Sequence, residues 1–206
     1  MLRSESLVFH YPGSTAMDFP SFELPQKEHL LIHGASGSGK STWLQLLSGI
    51  RRADQGNVYY DQTDLHQLSS RKKEAFCAQQ IGIIFQEHHF IPSLTAKENC
   101  LIGLQTSSDQ TQFLQRKAEQ LGLAPLLTKK PHHLSVGERQ RLAILRTLIR
   151  RPRWVFADEP TSSLDDQHCE SVIQLLLSEC ESLGASLIVV THDQRVTPYF
   201  ERSISR

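Results

Sequence analysis

The residues best suited to chemistry form one glycine-rich run that directly follows a short apolar stretch. The run contains the pattern G-x-x-x-x-G-K-[ST], and it consists of Gly34, Ala35, Ser36, Gly37, Ser38, Gly39, Lys40, Ser41 and Thr42. In a loop of this type, successive backbone N–H groups surround the phosphates of a nucleotide. The pattern therefore predicts a phosphate site, and the alternative is a glycine-rich connecting loop.

Individual positions of this loop have different predicted tasks. Lys40 is expected to reach the β- and γ-phosphates, and the Ser41 hydroxyl is expected to hold Mg²⁺. Glycine at positions 34, 37 and 39 is expected because such a loop needs positive φ angles and brings bare backbone close to its ligand.

Two adjacent carboxylates form a second candidate element. Asp158 and Glu159 end the apolar run Trp154 to Ala157. Mg²⁺ that bridges nucleotide phosphates needs a carboxylate at the end of a neighbouring strand, and Asp158 is predicted to supply it. Glu159 is predicted to orient or deprotonate an attacking water. Taken alone, such a pair is more often a solvated turn, but its combination with the glycine-rich loop favours a catalytic role.

These residues must be positioned by strands and helices that the apolar pattern also predicts. Continuous apolar runs at 30–33, 81–85, 154–157 and 187–190 predict buried parallel strands, and helical segments separate them. The fold class is therefore α/β, with a mainly parallel core sheet and ligand chemistry at the strands' carboxyl ends. Short runs at 6–11, 19–24 and 57–60 predict an antiparallel β layer near the N-terminus.

The region between the second and third parallel strands has helical spacing. Thr111 to Gly122 predicts a helix with Gly122 as its C-terminal cap. We expect residues 92–133, approximately, to form a helical subdomain inserted into a single domain that spans residues 1–206. Near the C-terminus, Ile204 is expected to lie in a last short strand.

Composition excludes several classes of function. The 206 residues include 22 basic and 22 acidic side chains, so a net charge of +0 gives no basic footprint for nucleic acid. The four cysteines form no C-x-x-C pair, which favours reduced thiols in a cytosolic protein. No apolar run is long enough to span a membrane, and the N-terminus does not resemble a secretory signal. Any role at a membrane is therefore expected to depend on a partner.

A third motif decides which family the chain resembles. In Leu134 to Gln140, Ser135 and Glu138 have the spacing of a capping box at the start of a helix, and a well-capped helix is the simplest interpretation. The segment also resembles the signature of the ABC ATPases, the nucleotide-binding subunits of ATP-binding cassette transporters. The order of the other motifs supports this resemblance: Tyr11, the glycine-rich loop, Gln86, the signature, Asp158 and Glu159, Ser163 to Asp165, and His192.

The resemblance implies a role for each matching position. Tyr11 resembles the aromatic residue that stacks on adenine, and Gln86 resembles the residue that senses Mg²⁺ or the attacking water. His192 resembles the histidine that contacts the γ-phosphate. Asp165 resembles the aspartate that communicates between paired sites.

The signature implies a composite site. In this family, Ser135, Val136, Gly137 and Glu138 would cover the γ-phosphate bound by a second copy of the chain, so two copies would close around two ATP molecules. Val136 stands where the family usually has glycine, and its side chain is expected to crowd the incoming phosphate. Glu138 in place of glutamine is similar to lipoprotein-releasing and macrolide-exporter ATPases.

The implied function is ATP hydrolysis, with Mg²⁺, that drives a separate integral membrane permease subunit. The location implied is cytoplasmic, peripheral on the cytoplasmic face of the cell membrane. An ATPase that signals through a membrane partner without transport has the same ATP site and remains open. A soluble ABC ATPase acting on DNA or ribosomes usually has paired cassettes or a long coiled coil, which this chain lacks. Because only 14 residues follow His192, we expect shortened terminal elements and no appended regulatory domain.

Overall fold

A computed structural model describes residues 1–105, 107–162 and 164–206. Its strands are β1 (Leu2–Phe9), β2 (Met17–Phe19), β3 (Phe22–Leu24), β4 (Leu30–His33), β5 (Gln55–Tyr60), β6 (Thr63–Asp64), β7 (Ile81–Ile84), β8 (Trp154–Asp158), β9 (Ser186–Thr191) and β10 (Ser203–Ser205). Its α-helices are α1 (Lys40–Leu47), α2 (Ser70–Gln80), α3 (Ala96–Leu101), α4 (Ser108–Gln120), α5 (Val136–Leu148) and α6 (Asp166–Leu183). Short 3₁₀ turns cover Ala124–Leu126, Pro131–His133 and Gln194–Tyr199.

The core sheet is parallel, as the continuous apolar runs predict. Its strand order is β10-β4-β9-β8-β7, and every neighbouring pair is parallel. All six residues of β9 are buried, because the sheet is covered on both faces and has no side to expose. Ile204 lies in β10 and pairs with Ile32, so the expected last strand is present. The carboxyl ends of β4, β8 and β9 consequently meet at one edge of the sheet.

The predicted antiparallel layer is also present, with different strand bounds. Its order is β2-β1-β5-β6, and β3 pairs with the other end of β1. The predicted bounds of the first strand, 6–11, were wrong, since β1 covers Leu2–Phe9. The predicted strand at 19–24 is two strands separated by Pro20 and Ser21, because proline lacks the N–H that a continuous ladder requires.

The described residues between 92 and 133 contain helices α3 and α4 and two short 3₁₀ turns. Helix α4 runs from Ser108 to Gln120, slightly earlier than predicted, and Gly122 follows with a φ of +66°. Helices α3 and α4 pack with α5 around an apolar cluster that includes Cys100, Leu114 and Leu142. Two further clusters lie on the two faces of the parallel sheet. In the part of the chain that the structure describes, no helix is both long and apolar enough to cross a bilayer.

One backbone N–H of strand β9 donates a hydrogen bond to a titratable side chain. The His29 Nδ1 accepts the Leu187 N–H at 3.1 Å, and the side chain is only 16% exposed. Burial lowers the pKa of His29, although Glu181, whose carboxylate lies 3.9 Å away, opposes this shift. Because the pKa is lower in the folded than in the unfolded chain, stability is full above about pH 6.5 and falls at lower pH.

We therefore expect His29→Asn to reduce the pH dependence of folding. Asparagine keeps an acceptor for the Leu187 N–H but does not titrate, so the loss of unfolding free energy between pH 7.5 and pH 5 should shrink by about 0.5–1.5 kcal/mol. Urea unfolding at both pH values measures this difference. The exposed His133 provides the control variant His133→Asn, and equal pH dependence in both variants would contradict the assignment.

Candidate functional site

The glycine-rich loop connects the end of β4 to the start of α1. Gly37 and Gly39 have φ angles of +78° and +94°, as expected for this loop. The expectation of a positive φ at Gly34 was wrong. A side chain at Gly34 would instead collide with the carbonyl oxygen of Arg206, which follows β10. Glycine is thus required at position 34 by a close approach of two backbone segments.

Lys40 is the first residue of α1 and points back into the loop. Its side chain is 5% exposed, and its Nζ donates hydrogen bonds of 2.9 Å to the carbonyl oxygens of Gly34 and Ala35. The same Nζ lies 3.7 Å from the Glu159 carboxylate. A buried ammonium group with these partners is available to exchange backbone carbonyls for phosphate oxygens.

Ser41 and Asp158 form the pair predicted to hold a metal ion. The Ser41 hydroxyl donates to Asp158 Oδ1 at 2.8 Å, although the two residues are 117 positions apart. Burial raises the pKa of Asp158 and the adjacent Glu159 adds to this, while the Ser41 hydrogen bond partly offsets it. A hydroxyl and a carboxylate are oxygen ligands of the type that Mg²⁺ prefers, so this donor set fits the ion.

Glu159 has an unusual backbone and several partners. Its φ is +47°, a left-handed conformation that costs roughly 1–2 kcal/mol for a residue other than glycine. Its carboxylate accepts a hydrogen bond from the Thr191 hydroxyl at 2.7 Å and contacts His192 Nδ1 at 2.8 Å. The His192 N–H also points at Glu159 Oε1, at 3.2 Å. The end of β9 therefore fixes the carboxylate in place.

One cavity of about 580 Å³ collects most of the predicted site residues. Its lining includes Tyr11, Ser36, Gly37, Gly39, Lys40, Ser41, Thr42, Gln86, Glu159 and His192, together with Ser14, Thr15 and Met17, which the sequence motifs did not predict. The Gln86 amide donates to the Ser162 hydroxyl at 3.3 Å. The groups predicted to bind phosphate, the Glu159 carboxylate and the Tyr11 ring are thus brought together at the carboxyl ends of the strands.

The signature residues lie outside this cavity. The Ser135 hydroxyl accepts the Glu138 N–H at 3.3 Å, and a Glu138 carboxylate oxygen accepts the Ser135 N–H at 2.7 Å, so the predicted capping box is formed. Val136 is the first residue of α5, and it is 53% exposed. None of the signature residues lines the cavity that holds Lys40.

Asp165 also lies outside the cavity, where it caps α6. Its Oδ1 accepts the His168 N–H at 2.9 Å and lies 2.8 Å from His168 Nδ1. These two hydrogen bonds lower the pKa of Asp165. Ser163, which belongs to the same motif, lies outside the described residues.

Besides Ser14, Thr15 and Met17, the sequence motifs missed two sets of contacts around Glu159 and His192. Thr191 binds Glu159, and its position directly before His192 is the signal that could have identified it. Arg195 connects the segment after His192 to the start of α6, because it binds both Asp193 and Asp166. The hydrogen bonds from Arg195 hold the pKa of Asp193 far below its usual range. The Thr191–Glu159 and Arg195–Asp166 contacts join residues that are close only in the folded chain.

Comparison with known proteins identifies this arrangement. A family model described as ABC transporter matches residues 18–162, which is more than half of the chain. The chain belongs to the ABC transporter family. It is the ATP-binding and ATP-hydrolysing subunit of an ABC transporter, as the resemblance of its motifs implied.

Individual members of the ABC transporter family match nearly the whole chain. The lipoprotein-releasing system ATP-binding protein LolD of Legionella pneumophila (strain Paris) is 38% identical over 98% of this chain and 92% of its own length. The dimeric structure of MJ0796, a bacterial ABC transporter cassette, is 30% identical and has a TM-score of 0.87, covering 100% of this chain and 94% of the other. A dimeric post-hydrolysis state of MJ0796, bound to ADP and Pi, is 29% identical with a TM-score of 0.86 over the same shares of both chains.

Proposed function

We propose that this ABC ATPase binds Mg²⁺ and ATP in its own cavity, closes that cavity with the signature helix of a second copy, and thereby drives a separate membrane subunit. One observation carries the proposal. Most of the groups proposed to bind and cleave phosphates line one cavity, whereas the signature at the start of α5 does not line it and exposes Val136. A phosphate bound in the cavity can therefore be covered by the signature helix of a second copy.

Within the cavity, each group has a proposed task. Lys40 binds the β- and γ-phosphates. Ser41 and Gln86, together with Asp158, which does not line the cavity but accepts a hydrogen bond from Ser41, would hold Mg²⁺, and the ion would neutralise phosphate charge. Glu159 accepts a proton from the attacking water, and His192 contacts the γ-phosphate while it holds the Glu159 carboxylate. Tyr11 stacks on the adenine.

The signature helix is suited to a phosphate of the second copy. The N-terminus of α5, a helix of 13 residues, carries the positive end of its dipole, and Ser135 begins it with a hydroxyl at the surface. An arrangement in which each copy completes the other's site has twofold symmetry. The dimeric MJ0796 structures support two copies, and Asp165, at the exposed start of α6, is proposed to lie between the two sites.

Mixing two inactive variants tests the shared site. Lys40→Ala removes the phosphate ligand, and Gly137→Asp places a negative charge where the second copy's phosphate is proposed to bind. Aspartate fits at position 137, because its Cβ would meet only the end of Arg141 at 3.6 Å. Each variant alone should lack ATPase activity, and mixing should restore a fraction of it, since a mixed dimer has one intact site. If mixing restores no activity, the shared site is wrong.

A second surface is proposed to receive the membrane subunit. A cavity of about 450 Å³ lies between β7 and helices α3 and α5, and its lining includes Phe85, His89, Asn99 and Ile102. It overlaps the segment from 87 to 99 that follows Gln86, so an ATP-dependent movement there would reach the partner. We propose that the helical region 92–133 moves as one unit, since α3 and α4 share a separate apolar cluster with α5.

The relatives also bear on the cargo and the location. The LolD relatives are ATP-binding proteins of a lipoprotein-releasing system, so we propose lipoprotein as the cargo of the membrane subunit. The ATPase itself would then lie on the cytoplasmic face of the cell membrane, held there by that subunit.

Co-purification with the membrane subunit tests the docking surface. Ile102 is 45% exposed in the 450 Å³ cavity, and Ile50 is 49% exposed elsewhere, which makes Ile50→Glu a matched control. Ile102→Glu is expected to lose the membrane subunit, while Ile50→Glu retains it. An ATPase rate that no membrane subunit changes would contradict the coupled function.

A further inference from the structure

The ring of Tyr11 is held by three neighbours in addition to its place in the chain. Phe9 packs edge-on against it, with ring centroids 5.0 Å apart. The Tyr11 hydroxyl lies 3.1 Å from the Thr42 hydroxyl. The guanidinium carbon of Arg51 lies over the ring, 4.9 Å from its centroid. Tyr11 is therefore oriented before any ligand binds.

Arg51 is itself fixed by the helix that follows the phosphate loop. Its Nε donates a 2.6 Å hydrogen bond to the Gln45 side chain, and its N–H donates to the Gln45 carbonyl oxygen at 3.0 Å. Gln45 and Thr42 both belong to α1, which Lys40 begins. The aromatic ring and the phosphate-binding lysine are thus attached to the same rigid element.

Arg51 contacts the ring of Tyr11 but does not line the 580 Å³ cavity. Tyr11 lines this cavity together with Thr15 and Met17. Because Arg51 covers one face of the Tyr11 ring, a stacked base would contact the other face. A cation over an aromatic ring is attracted to its π-electrons, so the contact restrains the ring in the orientation that a stacked base needs.

We infer that Arg51 is a positioning residue for the purine ring of the nucleotide. It acts through Tyr11, and the inference rests on the proposed role of Tyr11 in stacking. Arg51 and Phe9 hold the ring in place, which reduces the ordering that stacking would otherwise require. Arg51 makes no contribution to phosphate binding.

The test compares a ligand with a base and a ligand without one. Affinities for ATP and for inorganic tripolyphosphate are measured for Arg51→Gln, Tyr11→Ala and the control Arg52→Gln, which replaces an exposed neighbour. We expect Arg51→Gln to weaken ATP binding by about three- to tenfold and to leave tripolyphosphate unchanged. The KM for ATP should rise while kcat at saturation stays at the parental value. Tyr11→Ala should weaken ATP binding by about tenfold or more, again without effect on tripolyphosphate.

The variants separate failure of this inference from failure of the proposed stacking. If Tyr11→Ala leaves the ratio of the two affinities unchanged, Tyr11 does not stack on the base, and the proposed role fails. If Tyr11→Ala changes the ratio but Arg51→Gln behaves like Arg52→Gln, only the inference is wrong. An equal loss of both ligands in Arg51→Gln also overturns it, because the effect then passes through α1 and the phosphate loop.

Discussion

Replacing Glu159 by glutamine is expected to slow ATP hydrolysis by roughly 10²- to 10⁴-fold while ATP binding is preserved. The amide cannot accept a proton from the attacking water, but it has nearly the same shape as the carboxylate. Thr191 and His192 can still bind the side chain, so its position is retained. The left-handed backbone at this residue is equally strained in both proteins.

Two measurements check this result. Single-turnover hydrolysis gives the rate. Size-exclusion chromatography with ATP should detect a dimer, because the slow variant hydrolyses too little ATP for the dimer to dissociate. Glu74→Gln, on the exposed surface of α2, makes the same chemical change away from the site. Turnover of ATP by Glu159→Gln at the parental rate would show that the role assigned to Glu159 is wrong.

Replacing Lys40 by alanine is expected to weaken nucleotide binding by about a hundredfold or more, which abolishes it at ordinary concentrations. The Lys40 ammonium is the positive group that lies 3.7 Å from Glu159 in the cavity. Its loss removes charge-assisted hydrogen bonds to phosphate and leaves the Glu159 charge facing the nucleotide unopposed. Both effects act against binding.

Titration calorimetry with ATP measures the loss directly. Lys72→Ala removes an exposed lysine from α2 and should bind ATP with parental affinity. Thermal unfolding without nucleotide shows whether the Lys40 variant is folded, so that lost binding is not confused with lost structure. Unchanged ATP affinity in Lys40→Ala would contradict the phosphate assignment.

Buried parallel strands were the easiest part of the fold to predict. A strand covered on both faces needs apolar residues at every position, so β4, β7, β8 and β9 appear in the sequence as uninterrupted apolar runs. The antiparallel strands were harder, since only alternate residues are buried. In β1 the polar residues Ser4 to Ser6 interrupt the pattern, and for this reason its first half was missed.

Helix α2 shows what apolar periodicity cannot predict. None of its residues is buried, so its sequence carries no apolar stripe with helical spacing. Helices α4 and α5 each bury one face. Helical spacing predicted α4, and the capping box at Ser135 predicted the start of α5. Apolar periodicity predicts a helix that buries a whole face, whereas α2 contributes only the half-buried Phe76 and Cys77 to a core cluster.

The sequence by itself determined the local chemistry of this protein. A glycine-rich loop before Lys40, two carboxylates after a buried strand and a capping box at Ser135 are each set by neighbouring residues, and their order along the chain was sufficient to indicate the family. These features depend on spacing of a few residues, which a sequence displays directly.

Only the tertiary structure decided which distant groups meet. Three contacts join segments separated by up to 117 residues: Ser41 with Asp158, Thr191 with Glu159, and Arg51 with Tyr11. Glycine at position 34 is required by the backbone of Arg206, which follows β10. Such contacts arise from the order of strands in the sheet and from close packing, which no local pattern records.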